Sequence, residues 1–430
     1  MKYIYISQAK DYVAKEVQIK GWIHNKRSSG KIFFIQIRDG QGFIQAIVFK
    51  NDVTEKVFET AEKLTQESSV IMTGTISKHP KKEEYELQVK DIEIVHLNTD
   101  EYPISNKEHG IDFLLDNRHL WLRSKKQWAI QKVRNTIINA VYEYLNNEHF
   151  TKIDSPIFTP NACEGTSNLF EVDCFGTPAY LSQSGQLYIE AAIFSLGRVF
   201  DFGPVFRAEK SKTRRHLIEF WMMDAEAAFV EHEENMKIQE GLICHIVEKV
   251  LEKNRNELEI LERNIEALEK VKAPFILKTH KEVVAELREM GSEITENDDL
   301  GATDETMLTE KYDKPIFVEK YPAEVKSFYM KRDPKNSKYA LCADLLAPEG
   351  YGEIIGGSQR EDDYDIMLER VKEHKLDVSD FQWYLDLRKY GSVPHSGFGI
   401  GLERIVAWMC GLHHVRETIP FPRMMSRMKP

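Results

Sequence analysis

The sequence predicts an α+β protein with two unlike parts, an N-terminal β barrel and a larger domain in which helices flank an antiparallel sheet. Residues 17–97 contain short runs in which apolar and polar residues alternate, which is the period of half-buried strands. Residues 127–146 instead repeat apolar residues at helical spacing. A hairpin with a basic tip follows at 199–229, and a glycine-rich strand leads into a helix at 392–412. The change of period separates a β part from a mixed part.

Length and composition favour a soluble, cytoplasmic protein. The 430 residues suffice for two or three domains. No run approaches the roughly 18 to 20 apolar residues of a membrane span, and the N-terminus lacks the apolar run of a secretory signal. The five cysteines form no CxxC pair, which argues against a zinc knuckle or a disulfide framework. The net charge of −11 argues against nonspecific binding of nucleic acid, so any RNA must meet local basic patches.

The alternating runs of the N-terminal part predict five strands. They are VQIKGWI, KIFFIQIRD, GFIQAIVF, SSVIMTGTI and YELQVKDIEIV. A helix at 54–65 separates the third from the fourth, and five strands with one helix predict an OB-fold barrel over 1–98. Such barrels stack single-stranded bases on exposed aromatics. Of the adjacent Phe33 and Phe34, we expect one in the core and one as a stacking platform, unless a bent strand buries both.

A linker rich in turn formers follows at 99–125. The helix at 127–146 and the strand at 150–156, which ends at Pro156, are in themselves ordinary core elements. Ser182, Gln183, Ser184 and Gln186 then surround Gly185 at a strand-to-helix turn, where a helix cap is the plain interpretation. The Glu/Lys-rich helices at about 231–300 predict solvated surface, and we assign no chemistry to them.

The hairpin at 199–229 combines groups that suit a purine nucleotide. Its loop contains five cationic or titratable basic residues, Lys210, Lys212, Arg214, Arg215 and His216. Arg207 lies at the inner end of the first strand, where a fixed guanidinium can bind one phosphate through two hydrogen bonds. Glu209, Asp224 and Phe220 add acceptors and a stacking face. The alternative interpretation is that the basic loop is a solvated turn, which is the usual case for a basic loop without such neighbours.

Two segments near the C-terminus also suit a polyphosphate. Asp344 and Glu353 fall on neighbouring predicted strands and form a plausible site for Mg²⁺, although carboxylates that flank a turn are more often exposed. The glycines of GFGIGLER allow a flat ligand to approach closely, and Arg404 in the following first helical turn can point at a phosphate. No βαβ unit surrounds this segment, so it is not the dinucleotide fingerprint.

These motifs resemble a known family. FRAE, the basic loop and HLIEFW resemble the second signature motif of class II aminoacyl-tRNA synthetases, the helix and strand ending at Pro156 resemble the first, and GFGIGLER resembles the third. The resemblance covers essentially the whole chain and is fullest with the asparagine-specific members of bacterial type. It implies a class II catalytic domain over 126–430, with a helical insertion at about 231–300, behind an anticodon-binding barrel.

The resemblance also implies an activity and partners. The protein is expected to be an ATP-dependent ligase that uses Mg²⁺ and charges a tRNA with asparagine. It is also expected to form a homodimer through Pro156. For ATP the resemblance implies Arg207, Glu209, His216, Phe220, Glu353 and Arg404, with Arg207 and Arg404 as the catalytic residues. For the metal it implies Glu353 and Asp344. For the amino acid it implies Glu164, Ser184, Gln186, Asp224 and Arg360. For the anticodon it implies Phe34, Gln45 and Arg27.

Asparagine is expected because aspartate-specific relatives carry a lysine where this chain has Ile189 and a proline where it has Gly185. A neutral amide needs only hydrogen bonds, which Arg360 and Asp224 can supply. Asp224 departs from the pattern, since asparagine-specific relatives usually have glutamate there. An aspartate-specific or relaxed enzyme is one alternative. A non-tRNA paralogue such as an asparagine synthetase would lack the barrel, and a non-catalytic relative would lack Arg207, Glu353 or Arg404.

Overall fold

The computed structural model describes residues 2–105, 107–160 and 169–430. The chain divides into two compact units, Met1–Leu114 and Leu115–Pro430. The first unit contains a six-stranded sheet and the second an eight-stranded sheet with helices. Within the described residues, every helix is too short or too polar to cross a membrane.

The first unit is a closed β barrel. Its elements are β1 (Lys2–Tyr3), β2 (Glu16–Ser29), β3 (Ile32–Arg38), β4 (Phe43–Phe49), α1 (Glu55–Lys63), β5 (Ser69–Lys78) and β6 (Tyr85–His96). Strand β2 pairs with both β3 and β5, which closes the sheet, and β1 runs parallel to β2 at its edge. The predicted OB-fold is confirmed. Helix α1 begins where predicted because the Thr54 side chain accepts a hydrogen bond from the Val57 amide.

The first half of the second unit holds the long helix and the predicted hairpin. Its elements are α2 (Ile111–Asp116), α3 (Arg118–Trp121), α4 (Lys125–Asn147), β7 (Thr151–Lys152), β8 (Phe158–Thr159), β9 (Glu171–Cys174), β10 (Thr177–Leu181), α5 (Gln186–Leu196), β11 (Arg198–Phe206) and β12 (Glu219–Ala228). The strand expected at 150–156 is only β7, and it ends before Pro156.

The second half adds the remaining strands of the sheet. Its elements are α6 (His232–Lys253), α7 (Arg255–Ile260), α8 (Ile265–Glu269), β13 (Ile276–Thr279), α9 (His280–Glu289), α10 (Ala302–Glu310), β14 (Ile316–Glu319), β15 (Arg332–Asp333), β16 (Asn336–Ala340), β17 (Cys342–Ala347), β18 (Gly352–Gln359), α11 (Tyr364–Glu373), α12 (Gln382–Asp386), β19 (His395–Gly401) and α13 (Leu402–Cys410). The segment 231–300 was expected to be helical, yet it contributes β13 to the sheet.

The large sheet has the order β13-β14-β17-β18-β19-β12-β11-β7. Its middle strands are antiparallel, as expected, whereas the edge pairs β13 with β14 and β11 with β7 are parallel. The sheet is therefore mixed. The parallel edges escaped prediction because strands of two to four residues are too short to show a period.

Alternation along the strands gives the sheet one apolar and one polar face. Met223, Ala225, Phe398 and Ile400 belong to the core formed with helices α4, α6 and α13. The residues between them point to the opposite face, because successive side chains of a strand alternate. That opposite face carries the polar residues described next.

Candidate active site

A row of acidic residues and glycines crosses the polar face of the sheet. The strand registers place Asp201, Asp224, Gly399, Gly356 and Asp344 side by side on five neighbouring strands. A Cβ atom on Gly399 would lie 2.6 Å from Oδ1 of Asp224. Below about 3 Å such an atom forces its neighbours to move, so the glycine leaves room for an acidic side chain lying across the sheet. We expected these glycines to admit a flat ligand, and the structure shows that they admit side chains of the protein as well.

One pocket, here called the hairpin pocket, lies between the hairpin β11–β12 and the start of α13. Its lining includes Arg207, Glu209, His216, Phe220, Glu353 and Arg404. All of the residues that the sequence assigned to ATP are thus brought together, although they come from segments about 200 residues apart.

The polar groups of the hairpin pocket hold one another in place. Arg404 donates from one guanidinium nitrogen to the backbone oxygen of Glu353 at 3.0 Å and to its Oε2 at 2.8 Å. His216 Nε2 lies 3.4 Å from Oε2 of Glu209. The Arg207 guanidinium carbon lies 5.6 Å from the centroid of the Phe220 ring. Burial, together with the charge of Arg404, lowers the pKa of His216.

The basic loop is only partly available to a ligand, contrary to the expectation of a cationic tip. Arg215 donates to Oε2 of Glu305 at 2.7 Å and to the backbone oxygen of Gly350 at 2.8 Å. Arg214 donates to the same Gly350 oxygen at 3.0 Å. Lys210 and Lys212 are exposed. Burial, together with the Glu353 charge, raises the pKa of Glu305 to about 7. Arg214 and Arg215 therefore fix the loop to the body of the domain.

A second pocket, here called the inner pocket, lies over the acidic row. Its lining includes Ser184, Gln186, Asp224 and Arg360, the described residues that the sequence assigned to the amino acid. Glu164, the fifth, lies outside the described residues. Arg207, Met222, Glu353 and Gly399 line both pockets. The two pockets therefore meet at a guanidinium and a carboxylate.

Short hydrogen bonds fix the polar residues of the inner pocket. Oδ2 of Asp224 accepts from the Ser184 hydroxyl at 2.8 Å and from the Gly185 amide at 3.0 Å. Arg360 donates through two nitrogens to the two oxygens of Glu226, at 2.9 and 3.0 Å. A Cβ atom on Gly185 would lie 1.7 Å from Oδ2 of Asp201. The buried acidic row thus explains the glycine at this turn.

Ile189 stands where aspartate-specific relatives were expected to carry a lysine, and it lies outside this lining. It is fully buried in an apolar cluster with Ile193 and Val199. The charged residues of this lining are others, among them Arg360 and Asp224.

Asp344 and Glu353 form an arrangement that suits a divalent cation. Oε1 of Glu353 and Oδ1 of Asp344 would lie 3.1 and 3.6 Å from a Cβ atom on Gly356, so both oxygens face the space that this glycine leaves. Burial and the Glu353 charge raise the pKa of Asp344 to about 6, which a cation would reverse. Two carboxylates with room for water and phosphate oxygens fit the preferences of Mg²⁺.

Sequence reasoning missed Lys326 and Asp299. Lys326 donates to Oδ2 of Asp344 at 3.0 Å and to Asp299 at 3.1 Å, and both residues line the inner pocket. Asp299 belongs to the segment 231–300, to which no chemistry was assigned. Neither residue stands in a motif, since a lysine or aspartate in a loop is usually solvated, and only the fold brings them to the pocket.

On the barrel, the three predicted anticodon residues are neighbours. Phe33 is buried in the core, and Phe34 lies on the opposite face. The Arg27 guanidinium carbon lies 4.8 Å from the Phe34 ring centroid, and Arg27 also donates to Oε1 of Gln45 at 3.4 Å. Gln45 Nε2 donates to Oε1 of Glu86 at 2.8 Å. An aromatic ring, a cation and an oriented amide thus share one face.

The barrel, the mixed sheet and the paired pockets together define a class II aminoacyl-tRNA synthetase. Residues 110–425 match the family of class II tRNA synthetases for D, K and N, and residues 17–95 match the OB-fold nucleic acid binding domain. The chain belongs to the class II tRNA synthetases of the D, K and N group. It is therefore an enzyme that joins an amino acid to tRNA, and the expectation from its three motifs is confirmed.

Solved structures of this group resemble the chain over its whole length. The asparaginyl-tRNA synthetase from Pyrococcus horikoshii complexed with asparaginyl-adenylate is 44% identical, with a TM-score of 0.95 and 100% of both chains covered. The Entamoeba histolytica asparaginyl-tRNA synthetase with asparaginyl-adenylate is 31% identical, with a TM-score of 0.91 and 100% and 99% covered. The aspartyl tRNA synthetase from Entamoeba histolytica is 28% identical, with a TM-score of 0.82 and 100% and 93% covered.

Proposed function

We propose that this enzyme is an asparagine–tRNA ligase, which activates asparagine with ATP and transfers it to the 3′ end of the matching tRNA. One observation supports the activation step most directly: Arg207 and Glu353 line both pockets. A reaction between two ligands needs a shared boundary at which their reacting atoms meet. At this boundary, the guanidinium of Arg207 could bind a phosphate and the carboxylate of Glu353 could bind a metal ion.

In the first step, a carboxylate oxygen of the amino acid attacks the α-phosphorus of ATP. A mixed carboxylic–phosphoric anhydride, the aminoacyl-adenylate, forms as the bond from the α-phosphorus to the bridging oxygen breaks and pyrophosphate leaves. Arg207 binds the α-phosphate and stabilises the charge that develops on it. Phe220 stacks against the adenine ring, and Glu209 accepts from the adenine amino group. His216 and Arg404 hold the β- and γ-phosphates, with Arg404 fixed by its contacts to Glu353.

Asp344 and Glu353 would hold Mg²⁺ above Gly356, and the ion would neutralise charge on the phosphates. In the second step, a ribose hydroxyl at the tRNA 3′ end attacks the acyl carbon, the ester forms and AMP leaves. No side chain of the enzyme acts as a nucleophile in either step. Catalysis comes from positioning and charge stabilisation.

Asparagine is favoured over aspartate by the charges of the inner pocket. Arg360 is already paired with Glu226, and Asp224 adds a second carboxylate nearby. Of the other cations among the described lining residues, Lys326 is paired with Asp344 and Arg207 is assigned to the α-phosphate. A carboxylate on the substrate side chain would therefore lack a cation of its own, whereas an amide requires only a donor and an acceptor. The sequence identity of the chain to the solved asparaginyl-tRNA synthetases, 44% and 31%, is also higher than its identity to the aspartyl enzyme, 28%.

The choice of amino acid is tested by pyrophosphate exchange with purified protein at saturating ATP. We expect asparagine to drive exchange at least about 100-fold faster than aspartate, because burial of one unpaired charge costs several kcal/mol. Comparable rates would show a relaxed enzyme, and faster exchange with aspartate would overturn the proposal. Exchange with neither amino acid would contradict the whole assignment.

We also propose that Phe34 stacks on an anticodon base. Replacing Phe34 with alanine is expected to lower charging of tRNA by roughly 5- to 150-fold, since base stacking contributes roughly 1 to 3 kcal/mol. Exchange without tRNA should be unchanged. Tyr5→Ala, which removes another exposed aromatic ring of the barrel, is the matched control. Equal losses in charging and exchange would contradict an anticodon role.

We also propose that two copies of the chain form a homodimer through the segment around Pro156. Pro156, Ile157 and Phe158 are exposed in succession, and the two apolar side chains following the proline are 42% and 56% exposed. Consecutive exposed apolar residues are typical of an interface. Light scattering that gives the 50.0 kDa mass of one chain for active protein would refute the dimer.

A further inference from the structure

Behind the inner pocket lies a fully buried carboxylate, Glu190, that plays no part in the mechanism above. It is 0% exposed and lies outside the lining of the pocket. Its Oε1 accepts from the Gln186 amide at 3.3 Å and from the Tyr384 hydroxyl at 2.6 Å. Its Oε2 accepts from Arg388 at 2.8 Å and lies 3.1 Å from His395 Nε2. Of the described residues that donate a hydrogen bond to Glu190, Gln186 is the one that lines the inner pocket.

The contact with Glu190 fixes which way the Gln186 amide points. A carboxylate only accepts hydrogen bonds, so the NH₂ group of Gln186 must face Glu190. The carbonyl oxygen of Gln186 is then presented on the pocket side, since the two ends of an amide point in different directions. An oxygen acceptor suits an ammonium or an amide NH₂ group and repels a carboxylate.

Glu190, Glu226 and His395 bring three possible metal ligands together. Two arginines already neutralise them, because Arg388 contacts Glu190 and Arg360 contacts Glu226 through paired hydrogen bonds. Burial raises the pKa of Glu226, yet both of its oxygens accept from one guanidinium, which is the arrangement of an ionised carboxylate. Both oxygens of Glu190 and both oxygens of Glu226 already accept hydrogen bonds from the protein, so we interpret the cluster as an ion-pair network.

The network offers no excess positive charge to an acidic substrate. His395 Nδ1 lies 2.8 Å from the backbone oxygen of Val393, and its Nε2 lies 3.1 Å from Oε2 of Glu190. In the described part of the chain, the two arginines of the network, Arg360 and Arg388, are matched by the two carboxylates of Glu190 and Glu226. Lys326, which also lines the inner pocket, already lies between Asp344 and Asp299.

We infer that Glu190 is a specificity-determining positioning residue, which excludes aspartate by orienting the Gln186 carbonyl toward the substrate and by completing the charge balance of the buried network. The inference rests on the proposed function, in which the inner pocket holds the amino acid. Arg207 follows β11 and lies beside the start of β12, whereas Arg360 binds Glu226 near the end of β12. A substrate whose carboxylate reaches Arg207 would therefore extend its side chain toward Arg360.

Glu190→Gln removes one charge and supplies an NH₂ group that can donate to Gln186, so the Gln186 amide can turn. We expect the ratio of kcat/KM for aspartate to that for asparagine to rise at least tenfold in pyrophosphate exchange, mainly through a lower KM for aspartate. A residue needed only for folding would lower both values together. An unchanged ratio in a folded variant would overturn the inference.

Two further variants separate charge from packing. Glu190→Gln combined with Arg388→Met restores the charge balance, and we expect the ratio to return toward that of the unmodified enzyme. Glu67→Gln removes a carboxylate that is paired with Arg38 and buried in the barrel, and it should leave the ratio unchanged. A double variant that favours aspartate as strongly as Glu190→Gln would contradict the charge argument.

The unmodified enzyme gives a readout that does not depend on the folding of a variant. Aspartate and its β-methyl ester differ by one charge, and we expect the ester to inhibit asparagine-dependent exchange at least tenfold more strongly. Equal inhibition would overturn the inference. These outcomes are distinct from failure of the proposed function, which would appear as absence of asparagine-dependent exchange in the unmodified enzyme.

Discussion

Replacing Arg207 with alanine is expected to lower asparagine-dependent pyrophosphate exchange by about 10³-fold while the protein stays folded. Preorganised donors at a developing charge contribute about 10²- to 10³-fold each, and a guanidinium adds a full charge. Arg207 is the arginine at the junction of the two pockets. The loss should appear in kcat, because the contact strengthens as the α-phosphorus is attacked.

The matched control for Arg207 lies on the same strand. Arg198 begins β11, at the end opposite to Arg207, and pairs with Glu234 at 3.2 Å. Arg198→Ala should keep normal exchange, because this side chain is remote from both linings. Circular dichroism of both variants tests the fold. Exchange by Arg207→Ala within tenfold of the unmodified enzyme would refute its role.

Arg404→Ala is expected to lower kcat/KM for ATP by roughly 100-fold, mainly through a higher KM. A hydrogen bond to a charged group contributes about 1.5 to 3 kcal/mol, and a γ-phosphate accepts more than one. The side chain is 29% exposed, so its loss leaves no buried cavity. The effect differs from that of Arg207 because the γ-phosphate is bound equally before and during the reaction.

Arg198→Ala serves again as control, since its side chain is 28% exposed and ion-paired like that of Arg404. Exchange measured over a range of ATP concentrations separates KM from kcat. A loss in kcat alone, with KM for ATP unchanged, would show that Arg404 does not hold the nucleotide.

The sequence by itself determined the elements and the family. Periods of two residues in the barrel and 3.6 residues in α4 predicted the strands and the helix within a few residues, because each element buries one face. The hairpin and the strand into α13 were predicted for the same reason. The residues assigned to ATP could be proposed from the sequence because they lie in short motifs, where the spacing along the chain fixes the side chains relative to one strand or turn.

Only the tertiary structure decided which charged residues line the inner pocket or lie behind it. Asp299, Lys326, Glu190 and Arg388 come from four separate segments, and no local pattern distinguishes them from solvated charges. Glu190 and Arg388 are buried, Lys326 is half-buried and Asp299 is exposed, and none of the four lies on a strand of the sheet. The net charge around the pocket depends on residues that are distant from one another in the sequence. The sequence alone does not show which of them lie close together in the folded protein.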